Sequence, residues 1–112
     1  MCRAQQRLAQ RSVQLRLLEN LAFEVSPSGV RVVCLRTTAN TDSRAIQETM
    51  DLVKSKTGAT REQAIQRIAS YNFLKTPASI SDTARGIAFL ASDPARLMTG
   101  TVCNASAGAA LD

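Results

Sequence analysis

Two short β-branched runs, "VRVVCL" at residues 30–35 and "TGTVCNAS" at 99–106, lie on either side of a long stretch with helical periodicity. Strands that far apart, with helices between them, cannot form a hairpin. They pair in parallel through a crossover, which is the arrangement of an α/β fold. Parallel strands are normally covered on both faces and flanked by further strands. These residues contain no third run of that kind, so a ladder edge is left without a partner. The pattern predicts pairing with another copy or membership of something larger.

The helices have readable ends. Val13, Leu17, Leu18, Leu21 and Val25 recur at three- and four-residue steps, so residues 3–25 are expected as an amphipathic helix with Arg3, Arg7 and Arg11 on the opposite side. Pro27 and Gly29 in "SPSGV" stop it. After the polar loop "TTANTDS" (37–43), Asp42 or Ser43 can cap a helix that places Ile46, Met50 and Val53 on one face and ends at Gly58. Thr60 and Gln63 have capping-box spacing ahead of "AIQRIAS". Beyond Pro77, Ser79 with Asp82 caps a last helix, in which Ala84, Ile87, Ala88 and Ala91 share a face and which Asp93-Pro94 closes.

Composition removes several chemistries. There is no His, which rules out Ser-His-Asp and Cys-His catalysis and any Cys/His zinc pattern, so no metal site is expected. Cys2, Cys34 and Cys103 are odd in number, and the latter two, in strand-like runs, are read as small hydrophobes. No run approaches the roughly 20 apolar residues of a membrane span, and "MCRAQQRLAQ" has no apolar signal core. A soluble cytoplasmic protein is expected. The net charge is +5, and residues 1–36 hold six Arg against Glu19 and Glu24. A helical stripe of Arg3, Arg7 and Arg11 invites a nucleic-acid or anionic-surface reading. A solvated helix face is favoured over it, because no aromatic residues interleave with the arginines.

"LAFEVSPSGVRVVCL" (21–35) and "SISDTARGIAFLASDPARLMTGTVCNASAG" (79–108) carry a resemblance. The first is similar to the helix-turn-strand of the short-chain dehydrogenase/reductase family. The second resembles that family's final helix and strand, with "FLASD" followed at the usual spacing by Thr99-Gly100. The likeness covers the chain from about residue 12 onward, leaving residues 1–11 open to being an unrelated leader. It implies a doubly wound, Rossmann-type parallel sheet that binds NAD or NADP and transfers hydride. It further implies that residues 1–112 are a single partial domain, the C-terminal portion of such a fold, with two parallel strands and about four helices.

The resemblance also locates what is missing. Gly29, Gly58, Gly86, Gly100 and Gly108 are scattered, so no Gly-rich turn can cradle a pyrophosphate. Counting back from Leu21, the family's acid/base Tyr falls on Arg7 and its Lys on Arg11. Arg does not release its proton near neutrality and cannot replace Tyr. Tyr71 and Lys75 share the Tyr-x-x-x-Lys spacing, but they sit where the chain leaves a helix ahead of Pro77, and the match is read as coincidence. Thr37 and Thr38 occupy the positions of a usual Pro-Gly turn, and Thr41 or Asp42 stands near the usual nicotinamide-contacting Thr. These hydroxyls are candidate cofactor contacts in an intact fold, with a helix-capping loop as the alternative.

Three functions follow as expectations. The chain is a truncated oxidoreductase of this family, inactive alone; or a non-catalytic module that pairs with its own copy or an intact relative through Val13, Leu17 and Leu21; or a basic amphipathic helix that binds nucleic acid or an anionic surface. The first is preferred, as a homo-oligomer or paired with an intact relative, with neither nucleic acid nor membrane as partner.

Overall fold

The alternation read from the sequence is realised as α1 (Arg3–Val25), β1 (Val33–Thr37), α2 (Arg44–Thr57), α3 (Arg61–Ser70), α4 (Ile80–Ala91) and β2 (Thr101–Ala105). One-turn 3-10 helices at Ser26–Ser28 and Asp93–Ala95 follow α1 and α4. This computed structural model describes residues 3–109, and the side chains of Arg3, Ala4, Arg7 and Leu8 lie outside the described residues. β1 and β2 form a two-stranded parallel sheet. The chain divides into two compact units, one of the residues up to Leu35 with Phe89–Cys103, the other of Arg36–Ala88 with the residues from Asn104 onward.

In the first unit, β1 starts at Val33 rather than at Val30 and runs on to Thr37. Val32 is the reason. Its N–H donates to the Thr99 hydroxyl (3.0 Å) instead of a backbone carbonyl, while its own carbonyl accepts from the Gly100 N–H (2.8 Å). Regular pairing begins only beyond it. Ala22 is buried and Leu18 and Val25 are half-buried, so the covered side of α1 is an i, i+4, i+7 set. Val13, Leu17 and Leu21 of the expected stripe are exposed, Leu17 to 64%. Arg31 forks: one guanidinium nitrogen donates to the Met98 carbonyl (3.1 Å) and the other to the Leu90 carbonyl (2.6 Å). Leu90 lies in the last turn of α4, where carbonyls have no intrahelical donor.

Cys34 corrects an expectation. It is exposed on β1 rather than packed as a small hydrophobe, and Cys103 is only partly covered. Strand propensity announces a strand, but a two-stranded sheet offers its outward-pointing residues little to pack against.

In the second unit the caps lie where local spacing puts them. Ser43 Oγ accepts from the Ile46 N–H, and Gly58 (φ +72°) ends α2 in the left-handed region. Thr60 and Gln63 complete a reciprocal capping box on α3. Met50 and Ala69 are buried, and the buried Asn72 ties the following loop by bonding both the carbonyl and the N–H of Thr76. At the start of α4, the Ser79 N–H and hydroxyl donate to Asp82 Oδ2, while the Asp82 N–H donates to Ser79 Oγ. Ala84, Ile87, Ala88 and Ala91 share one face of α4 as expected, and that face is exposed, whereas Thr83, Gly86 and Leu90 are partly covered. Hydrogen bonds at Ile80, Thr83 and Leu90 tie α4 to other segments.

After β2 the chain turns back. The Ala107 carbonyl accepts from the N–H groups of both Phe73 (2.9 Å) and Leu74 (3.2 Å). Ala107 (φ +54°) and Gly108 (φ +81°) are both left-handed, and a Cβ on Gly108 would lie 2.6 Å from Phe73 Cβ. Gly108→Ala is therefore expected to cost about 2–4 kcal/mol, from left-handed strain plus overpacking. Gly58→Ala, with nothing within 4 Å of its Cβ position, is expected to cost only about 1–2 kcal/mol; urea unfolding of both variants separates the two terms. Hydrogen bonds from the Ser79 side chain and then its backbone hold the Asp82 carboxyl below its ordinary value, against an opposing desolvation and with a lesser contribution from the Arg85 charge. The cap thus stabilises α4 above the ordinary carboxylate range and loses this contribution as pH falls through the lowered folded-state value. Asp82→Asn is expected to flatten that part of the acid limb, read by thermal melts from neutral pH downward.

Candidate functional site

The loop that carries the candidate cofactor residues lies wholly in the second unit, and its polar groups are engaged with the chain ahead of and within α4. Both the N–H and the hydroxyl of Thr41 donate to the Ala78 carbonyl, at 2.9 and 3.1 Å. Asn40 forms a parallel bridge with Ala78, and its side-chain oxygen accepts from the Thr83 hydroxyl at 3.1 Å. Asp42 Oδ1 accepts from the Ile80 N–H at 2.8 Å. Of the two candidate caps for α2, Ser43 performs that role, and Asp42 caps α4 instead. No local signal in the sequence announces this, because residues 40–42 and 78–83 are remote along the chain.

Thr37 is the last residue of β1 and is exposed, while Thr38, half-buried, opens the loop. Arg11 is exposed on α1 in the first unit, and the side chain of Arg7 lies outside the described residues. Tyr71 and Lys75 do not share a helix, since α3 ends at Ser70. Tyr71 is exposed. Lys75 is left-handed (φ +54°), and its Nζ donates to the Ser70 carbonyl (2.6 Å). The one-turn stacking by which a lysine could tune a tyrosine is not made.

A dinucleotide's pyrophosphate needs free backbone N–H groups at a helix N-terminus or in a glycine nest. Ser43 occupies that end of α2, the Thr60–Gln63 box that of α3, and Ser79, Asp82 and Asp42 that of α4. The last end carries two carboxylates, which repel an anion. The left-handed glycines Gly29, Gly58, Gly100 and Gly108 lie in separate turns. The N-termini of α2, α3 and α4 and the left-handed glycines do not fit a pyrophosphate. Nor, among the described residues, does any group of three or more His, Cys, Asp or Glu side chains stand ready for a metal ion. No helix among them is long and apolar enough to cross a membrane.

The second unit also has an open groove of about 630 Å³, walled by Phe73, Leu74, Pro77 and Ala107 with Thr76, Asp82 and Asn104. Each of those three polar side chains already bonds within the protein.

No protein-family profile and no curated protein sequence matches the chain. Solved structures do. L-sorbose reductase from Gluconobacter frateurii, determined with NADPH and L-sorbose, aligns at a TM-score of 0.77 and 21% identity over 89% of this chain and 38% of its own. A short-chain dehydrogenase family protein from Francisella tularensis gives 0.76 and 18% over 88% and 40%. Sorbitol-6-phosphate 2-dehydrogenase from Erwinia amylovora gives 0.72 and 24% over 88% and 39%. The chain spans about 40% of the length of such structures. At these identities the likeness is one of fold. The chain has the fold of part of a short-chain dehydrogenase/reductase.

Proposed function

We propose that these residues are the C-terminal part of an NAD(P)-dependent oxidoreductase of the short-chain dehydrogenase/reductase family, that they transfer no hydride alone, and that they act in the cytoplasm as a pairing module. The fold match supports the ancestry. The observation that supports the reading of no hydride transfer by these residues alone is the capping of the α2, α3 and α4 N-termini. Arg7 and Arg11, which the resemblance puts at the Tyr and Lys positions, agree with it.

Pairing is supported by uncovered apolar surface. Val13, Leu17 and Leu21 form an exposed stripe on α1, and Phe23 on the same helix is 82% exposed. A second copy or an intact relative is the partner that the stripe suits.

A thermal melt with NADH or NADPH at millimolar concentration tests the first part. Binding to the folded state alone would add about 2.7 kcal/mol at a hundredfold excess over Kd; the midpoint is expected not to move, and a shift would overturn the reading. Sedimentation velocity tests the second. The chain is expected to sediment as a dimer or larger, and Leu17→Glu is expected to weaken association at least about tenfold. A monomer at all concentrations, in the absence of a relative that binds it, removes the pairing module.

A further inference from the structure

We infer that Asn40-Thr41-Asp42 is a three-point clasp on the start of α4, and that the Thr41 hydroxyl serves this clasp rather than a nicotinamide. The inference deepens the reading above, on which its statement about the cofactor rests. The three residues hold three successive points of the other segment. Thr41 takes the Ala78 carbonyl twice, Asp42 takes the Ile80 N–H, and Asn40 takes the Thr83 hydroxyl. A hydroxyl has one proton to donate, and that of Thr41 is engaged at 3.1 Å. To donate to a carboxamide it would have to release Ala78. Asp42 gives α4 a cap from a remote segment beside the local cap of Ser79 and Asp82. Together the two carboxylates oppose the helix dipole's positive end, which stabilises the helix and disfavours an incoming anion there.

Thr41→Val keeps the shape and removes the hydroxyl, and Thr41→Ser restores it. Thr41→Val is expected to lower the thermal midpoint by roughly 4–8 °C, as loss of one net hydrogen bond does in a small domain, with Thr41→Ser close to the wild type. An unchanged Thr41→Val midpoint overturns the clasp. So does a wild-type midpoint raised by NADH or NADPH that Thr41→Val no longer shows while its unliganded midpoint is normal. A cofactor shift that persists undiminished in a destabilised Thr41→Val leaves the clasp standing and sinks the non-binding function instead. If Thr41→Val does not fold, amide exchange of the wild type decides: protection of the Thr41 and Ile80 N–H groups supports the clasp, and exchange at the solvent rate at both overturns it.

Discussion

A parallel strand pair cannot be closed by a tight turn, and that constraint shapes everything between Thr37 and Thr101. The chain must leave β1, travel through α2, α3 and α4, and return in the same direction to form β2. Every contact that holds β2 beside β1 is therefore remote in sequence, and its closure entropy must be offset by bonds such as Val32 to Thr99 and Gly100. Three of the four helices serve this crossover, and their caps keep each of them at a fixed length.

The caps were the legible part. The Thr60–Gln63 pair, the Ser79–Asp82 pair and Gly58 act within a few residues of themselves, so spacing alone locates them, while for α2 it left Asp42 and Ser43 both open. The rotation of α4 was not legible. Its apolar periodicity says that Ala84, Ile87, Ala88 and Ala91 lie on one side, but not that this side meets anything. The start of β1 was misplaced for a similar reason, since a Thr hydroxyl intercepts the Val32 N–H from another segment. In the candidate loop the residues stood out by composition, yet their partners at 78–83 carry no mark that connects them to residues 40–42.

Small side chains dominate what is buried. Ala22, Ala69 and Ala95, with Met50, are the buried apolar residues among those described. Alanines remove little apolar area from water, so each contributes far less than the 1.5–3 kcal/mol or so of a buried Leu or Phe. Leu17, Phe23, Phe73 and Ile87 keep their larger area outside. This distribution leaves little buried apolar area to hold the described residues together, and the segments are tied by hydrogen bonds instead.

Arg31 illustrates what such an economy demands of a single residue. Its planar fork holds two carbonyls, Leu90 at the end of α4 and Met98 ahead of β2, from a position just ahead of β1. A lysine at that position would keep the charge but offer one compact ammonium in place of two nitrogens fixed in a plane. The rigidity of the guanidinium thus acts as a gauge: it sets the spacing between the helix end and the strand that follows. A change that conserves charge there would still lose the measure of that gap.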